Sequence, residues 1–192
     1  MNKKKIVFLG NSIVNGYPLP RSQCFVSLYR NATGHEVINK GQNGSVTSES
    51  LRRLEDDVIS HKPDEMWFMG GTNDYIMNVT DPKGTLNLLV KIANKLKSEN
   101  ILPIFMIPLP IDPDMASKLW FPEPDYIRIS LKIVELRKLM LEYGRETGIR
   151  IIDTYTFFSS LYDDTNKEDY LYDGLHPTAL GHRAIADFLL SL

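Results

Sequence analysis

The residues with the clearest chemical potential are a serine, an aspartate and a histidine that lie far apart in the chain. Ser12 follows a short apolar run that ends at Gly10, and two residues separate Asp173 from His176 near the end of the chain. A serine that attacks an acyl group needs a base to take its proton and a third group to orient that base. Ser12 is therefore the candidate nucleophile, His176 the candidate base and Asp173 the candidate orienting group.

The same chemistry needs hydrogen-bond donors for the oxyanion that forms when an acyl group is attacked. The candidates are the backbone N–H groups of Ser12 and of Gly44, which lies in a glycine-rich turn, and the carboxamide of Asn73. Gly44 has no side chain, so a substrate can approach its N–H closely. Loss of one such donor typically costs about 2.7–4 kcal/mol of transition-state stabilisation. Three donors together predict a strong oxyanion hole.

Strand-like apolar runs alternate with longer amphipathic stretches, which predicts how these residues are positioned. Parallel strands need crossover connections, so the alternation predicts an α/β domain with one parallel sheet and helices on both faces. Ligands bind outside the carboxyl ends of such strands, which would bring Ser12, Gly44, Asn73 and the turn 173–176 to one edge. The five predicted strands are 6–9, 35–39, 65–69, 101–107 and 149–152.

Capping residues and apolar spacing predict the helices. Asp81-Pro82 is a favourable helix start, and Gly148 is a favourable helix end. Residues 108–124 and 154–172 show no regular period and are predicted as irregular loops. The predicted helices are a short one after an N-cap at Ser22, one from Thr47 or Ser48 to about Ser60 with a charged solvent face, and others over 81–99, 125–147 and 178–192.

Length and composition limit the class of protein. The 192 residues, of which 43% are hydrophobic and 24% charged, fit a single globular domain over 1–192. A net charge of −2 argues against a nucleic-acid partner, and no apolar run reaches the roughly 18 residues of a membrane span. The single cysteine, Cys24, and the lack of a signal-peptide pattern predict a cytoplasmic location. Cys24 is interpreted as a buried structural thiol, and His182 as a structural histidine within the last helix.

Four sequence blocks resemble those of the SGNH hydrolase superfamily, also called GDSL lipases or esterases. They span nearly the whole chain in the expected order, and the last two are the most specific. The blocks are Gly10-Asn11-Ser12-Ile13, Asn39-x-Gly41-x-x-Gly44, Gly71-Thr72-Asn73-Asp74 and Asp173-Gly174-Leu175-His176-Pro177.

The resemblance implies a flavodoxin-like, three-layer α/β/α fold and hydrolysis of small-molecule esters, sometimes of thioesters or acetylated sugars. It implies Ser12 as nucleophile, His176 as base and Asp173 as its orienting partner. Ser12, Gly44 and Asn73 would form the oxyanion hole, with no metal or organic cofactor. The chain departs from the family pattern at Asn11, where aspartate is usual, and we do not expect Asn11 to carry chemistry.

Loops at the same sheet edge are expected to line the substrate pocket. An active-site wall rich in aromatic residues and methionine favours apolar contact, so we expect a partly apolar cleft for a short acyl chain. The same side chains could instead simply pack the loop down. The candidates are Tyr75, Ile76, Pro110, Met115, Trp120 and Phe121.

Other functions are consistent with parts of the sequence. Within the same mechanism, the chain could be a carbohydrate O-acetylesterase, a lysophospholipase or a thioesterase. A doubly wound nucleotide- or flavin-binding protein is an alternative of another class, but the turn after the first strand matches neither G-x-G-x-x-G nor a Walker loop. The oligomeric state stays open.

Overall fold

A five-stranded parallel sheet forms the centre of the molecule. The computed structural model describes residues 3–192, and its strands pair in the order β2-β1-β3-β4-β5. This is the strand order of flavodoxin-like doubly wound domains, so the predicted α/β fold is confirmed. The strands are β1 (Lys5–Gly10), β2 (Glu36–Gly41), β3 (Glu65–Met69), β4 (Leu102–Met106) and β5 (Arg150–Ile152).

Helices cover both faces of this sheet. They are α1 (Ser12–Asn15), α2 (Phe25–Thr33), α3 (Thr47–Arg52), α4 (Leu54–Asp57), α5 (Thr72–Ile76), α6 (Pro82–Ser98), α7 (Pro113–Met115), α8 (Tyr126–Thr147), α9 (Thr154–Ser159), α10 (Lys167–Tyr170) and α11 (Ala179–Leu190). Successive side chains of a strand point to opposite faces, so the sheet has two apolar cores. Val7 and Leu9 face a core with α4, α6 and α8, whereas Ile6 and Phe8 face one with α1, α2 and α11.

Local capping signals fix the long helices as the sequence predicts. The side chain of Asp81 accepts a hydrogen bond from the N–H of Gly84 at the start of α6. Asp125 caps α8 in the same way, and Gly148 ends α8 in the left-handed conformation. Within residues 3–192, no helix combines the length and the apolar character that crossing a membrane requires.

The single helix predicted from Thr47 to about Ser60 is wrong. The segment breaks into α3, α4 and a 3-10 turn at Ile59–His61. At the break between α3 and α4, the side chain of Arg53 turns inward with 14% exposure instead of lying on a solvent face. Its guanidinium donates to the carbonyl oxygens of Gly10 and Lys40, which end or nearly end β1 and β2.

Three smaller predictions also need correction. Ser22 lies in a 3-10 turn (Arg21–Gln23), and Cys24 occupies the N-cap position of α2. The segment 108–124 contains α7 and a π-helical turn at Ala116–Trp120. The segment 154–172 contains α9 and α10, and the side chain of Asp153 caps α9. Short helices of this length are too brief to show a period in the sequence.

Candidate active site

The carboxyl ends of the strands bring the chemically competent residues together. Ser12 is the first residue of α1 and lies two residues after the end of β1, and Gly44 lies in the turn that follows β2. Asn73 lies in α5, shortly after β3. The turn that carries Asp173 and His176 follows β5 and α10. Four separate loops of one sheet edge therefore supply this site.

Ser12, His176 and Asp173 form a continuous hydrogen-bonded chain. Ser12 Oγ lies 2.9 Å from His176 Nε2, and His176 Nδ1 lies 2.8 Å from Asp173 Oδ2. All three side chains are buried. A carboxylate on Nδ1 favours the tautomer with its proton there, so Nε2 can accept a proton from a hydroxyl. The arrangement can therefore activate Ser12 for attack on an acyl group.

The backbone around Asp173 holds this carboxylate in place. Its Oδ1 accepts hydrogen bonds from the N–H groups of Leu175 and His176, at 3.0 and 2.8 Å. Burial raises the pKa of Asp173, but the hydrogen bonds from His176 and Leu175 outweigh it and leave the pKa below its usual value. Gly174 has a φ of +85°, and a Cβ there would lie 2.5 Å from the backbone N of Ala116. Only glycine fits this turn.

Gly44 and Asn73 lie beside the serine as oxyanion-hole candidates. Gly44 has a φ of +76°, a backbone conformation that favours glycine. There is space for a side chain at this position, since the nearest atom to a Cβ would be Met77 Cε at 3.9 Å. Asn73 Nδ2 donates to the carbonyl oxygen of Ser45 at 3.1 Å. A carboxamide has two N–H donors, so this bond fixes the side chain and leaves a second donor for a ligand.

Comparison with known proteins identifies the family. A model of the GDSL-like lipase/acylhydrolase family matches residues 8–184. The chain belongs to this family. An acetylxylan esterase from Geobacillus stearothermophilus is 27% identical over 165 residues, which are 80% of this chain and 69% of that protein. The chain is therefore a hydrolase of the esterase type.

Solved structures of this family have the same fold. A lipase/acylhydrolase from Enterococcus faecalis is 26% identical, with a TM-score of 0.78 over 98% of this chain and 94% of its own. A member of the lipolytic protein G-D-S-L family from Veillonella parvula is 23% identical, with a TM-score of 0.80 over 98% of this chain and 97% of its own. These likenesses agree with the three-layer architecture.

A cavity of about 190 Å³ opens above Ser12 in this GDSL-like hydrolase. The candidate nucleophile, base and oxyanion-hole residues all line it, whereas Asp173 is buried behind them. Of the six residues predicted for a substrate pocket, Ile76 and Trp120 line it. The complete lining is Asn11, Ser12, Ile13, Tyr17, Asn43, Gly44, Thr72, Asn73, Ile76, Met77, Trp120, Leu175 and His176.

The other four predicted pocket residues lie outside this cavity. Tyr75 packs into the core beneath α5, and Pro110 and Met115 are buried. Phe121 is 54% exposed and follows the π-helical turn. Neighbouring residues of one turn point in different directions, so a loop assigned to the site does not assign all of its side chains.

Sequence reasoning missed Tyr17, Asn43 and Met77 in the cavity wall. Each lies within a few residues of a motif residue; Tyr17 and Met77 follow the short helices α1 and α5, and Asn43 follows β2. Their closeness in sequence to the motif residues could have indicated that they lie near the site. Tyrosine, asparagine and methionine are common in such segments, however, so their residue types did not single them out. Their orientation depends on how separate loops pack against each other.

A buried network behind Asn73 was also missed. Asp74 is fully buried, and its carboxylate accepts from the N–H and Oγ1 of Thr47 at 2.7 and 2.6 Å. Thr85 Oγ1 donates to the same carboxylate at 3.1 Å. Burial raises the pKa of Asp74, and the hydrogen bonds from Thr47 and Thr85 oppose that rise. The network joins α3, α5 and α6 directly behind the oxyanion-hole candidates.

Cys24 and His182 have structural positions, as predicted. Cys24 is buried with its Sγ 3.3 Å from the carbonyl oxygen of Val14, and burial raises its pKa to about 11. His182 Nδ1 accepts from the N–H of Phe25, and the two rings are stacked. Among residues 3–192, no group of three or more His, Cys, Asp or Glu side chains is arranged to hold a metal ion.

Proposed function

We propose that this hydrolase cleaves short-chain carboxylic esters through a Ser12-His176-Asp173 triad. His176 Nε2 takes the proton of Ser12 as its Oγ attacks the ester carbon, and Asp173 stabilises the imidazolium. His176 then gives the proton to the departing alcohol, which leaves an acyl-enzyme. Water, activated by the same histidine, releases the acid. The observation that carries this proposal is the unbroken chain of 2.9 and 2.8 Å contacts from Ser12 to Asp173.

The proposed oxyanion hole consists of the N–H groups of Ser12 and Gly44 and the carboxamide of Asn73. The supporting observation is that all three residues line one cavity with His176. In addition, Asn73 is held by Ser45, which reduces the reorganisation needed when the oxyanion forms.

The size of the cavity supports a short acyl chain. Its volume of about 190 Å³ is below the roughly 300–1,000 Å³ of sites for larger ligands. Ile76 and Met77 provide apolar walls. Hydrolysis of O-acetyl groups on carbohydrates is the second candidate function, because a relative that covers most of this chain is an acetylxylan esterase.

The test is hydrolysis of p-nitrophenyl acetate and butyrate by wild type, Ser12→Ala and His176→Ala. Each variant is expected to lose about 10³-fold or more in kcat, because a triad acts as a unit. Ser98→Ala, on the exposed end of α6, serves as the matched control and should retain the wild-type rate. An inert wild type, or full activity in Ser12→Ala, would overturn the mechanism.

The proposed mechanism uses no metal or organic cofactor, so incubation with EDTA should leave the rate of the same assay unchanged. We also propose a cytoplasmic location, and the single cysteine is what supports it. Cell fractionation with an antibody against the full chain tests that location.

A further inference from the structure

Two aromatic rings contact the imidazole of His176 from within the cavity. The ring centroids of Tyr17 and Trp120 each lie 4.9 Å from that of His176, at interplanar angles of 67° and 64°. The two rings also contact each other edge to face, at 5.7 Å. Trp120 is 42% exposed although it is a large apolar side chain. The planes of the two rings are 74° apart, so together they form an angled aromatic surface beside the base.

The chemistry of ester cleavage determines which half of a substrate reaches this surface. In the tetrahedral intermediate the oxyanion points to the donor groups at Gly44 and Asn73. The departing alcohol oxygen must face His176 Nε2, because that atom returns the proton to it. The alcohol half is therefore the half that lies next to the rings around His176, and the acyl half lies away from them.

The wall of the same cavity also includes a polar side chain. Asn43 lines the cavity, and its Oδ1 accepts from Asn15 Nδ2 at 2.8 Å. Asn15 Oδ1 in turn accepts from the guanidinium of Arg21 at 2.6 Å. This chain of bonds orients the Asn43 carboxamide, so that its Nδ2 group is the half that can donate to a ligand.

We propose that Tyr17 and Trp120 form a platform for the alcohol half of the ester, and that this alcohol is cyclic. A ring offers a flat apolar face to one of the two aromatic side chains and its edge to the other, and hydroxyl groups on that ring would accept from Asn43. The acyl half contacts Met77, which lies beside Gly44. This inference rests on the proposed triad and adds to it the part of the substrate that the enzyme selects.

The test compares cyclohexyl acetate with n-hexyl acetate, which have the same acyl group and alcohols of equal carbon number. Trp120→Ala should lower the ratio of their kcat/KM values by about fivefold, a typical effect for one aromatic contact. The ratio of cyclohexyl acetate to cyclohexyl butyrate should stay within about twofold of wild type. Trp120→Phe keeps a flat ring and should restore most of the preference.

Phe121→Ala is the matched control, because Phe121 is an exposed aromatic neighbour that does not line the cavity. It should leave both ratios unchanged. Met77→Ala should change the acetate-to-butyrate ratio and leave the ratio between the two alcohols unchanged. Asn43→Ala should lower kcat/KM for an acetylated methyl pyranoside more than for cyclohexyl acetate.

The results separate this inference from the function on which it rests. A wild type that hydrolyses none of these esters, or full activity in Ser12→Ala, contradicts the triad itself. If the triad holds but Trp120→Ala leaves the alcohol ratio unchanged, or alters only the acyl ratio, the platform is wrong. If Asn43→Ala affects the pyranoside and cyclohexyl acetate equally, the polar part of the inference is wrong.

Discussion

The carboxamide of Asn11 closes the first turn of α1 and so fixes the backbone that carries Ser12. Its Oδ1 accepts from the N–H of Ile13 at 3.1 Å, and the residue is buried. Aspartate can make the same capping bond, which explains how asparagine can stand at this position. A negative charge is not needed for the cap.

We therefore expect Asn11→Asp to change kcat/KM for p-nitrophenyl acetate by less than about tenfold, or 1.4 kcal/mol. Asn11→Ala, which removes the cap, should lower the free energy of unfolding by about 1 kcal/mol. Steady-state kinetics and urea unfolding of the two variants check these values. A larger effect of Asn11→Asp would mean that the charge at this position takes part in catalysis.

We expect His182 to make the stability of the enzyme depend on pH. Burial lowers its pKa to about 4, and the nearby His176 adds to the effect. Below about pH 6.5 the unfolded chain binds a proton that the folded chain excludes. The free energy of unfolding should therefore fall as the pH drops from about 6.5 towards 4, by about 3 kcal/mol from this residue.

The variant His182→Asn tests this assignment. Asparagine retains an acceptor for the N–H of Phe25 but does not titrate. The variant should be less stable at pH 7, and its unfolding free energy should change less between pH 7 and 5 than that of wild type. Urea unfolding at several pH values measures how the free energy of unfolding of each protein changes with pH. An equal change with pH in both proteins would mean that groups other than His182 cause the pH dependence.

At the scale of elements, Arg53 joins two strands at the edge of the sheet that bears the site. It bonds the carbonyl oxygens of Gly10 and Lys40 and forms a 2.5 Å ion pair with Asp57. Gly10 leads directly to the loop that carries Ser12, and Lys40 leads to the turn with Gly44. The guanidinium thus adds side-chain bonds to the β1–β2 backbone pairing, between the strand that leads to the nucleophile and the strand that leads to one donor of the proposed oxyanion hole.

Arg53→Met should lower the free energy of unfolding by about 1.5–3 kcal/mol, the range for a hydrogen bond to a charged group. It should also lower kcat by about tenfold or more, since displaced catalytic groups slow the reaction. Arg52→Met, at the neighbouring residue that is 76% exposed, is the control and should change neither quantity much. Wild-type kcat in folded Arg53→Met would show that the two loops hold their positions without it.

The same residue shows where helix prediction from sequence fails. The α6 and α8 boundaries were predictable because Asp81, Asp125 and Gly148 act on their own backbone within one turn. At the break after α3, Arg53 instead bonds to carbonyl groups of β1 and β2, which are distant in sequence. No local pattern distinguishes Arg53, which is drawn inward, from Arg52, which stays in solvent.

At the scale of the whole molecule, the sheet topology explains why the positions of the candidate site residues could be predicted from the sequence. Alternating strands and helices were enough to place Ser12, Gly44, Asn73 and His176 at one edge, because parallel strands share their carboxyl ends. The cavity wall was less predictable. Tyr17 and Trp120 reach His176 only through contacts between loops, and Tyr75 turns into the core although its neighbour Ile76 does not.

Asp74 connects this edge to the packed helices behind it, and Thr85→Val tests how much that connection contributes. Valine has a similar shape but cannot donate to the buried carboxylate. At pH 7 the loss should lower the free energy of unfolding by about 1.5–3 kcal/mol, the range for a hydrogen bond to a charged group. Urea unfolding measures this change.

The pH dependence of this loss follows from the raised pKa of Asp74. A carboxyl group whose pKa is higher in the folded state makes the protein more stable as the pH falls through that pKa towards the lower pKa of the unfolded chain. Thr85→Val removes a bond that opposes the rise in the pKa of Asp74, so this pKa should be higher still in the variant. The free energy of unfolding of the variant should then increase more than that of wild type as the pH falls. The difference in stability between the two proteins should therefore be smaller in acid. Thr165→Val breaks a similar bond to Asp163 at an exposed site and should cost little at any pH. Equal losses in both variants at pH 7 would mean that burial does not strengthen the Asp74 network.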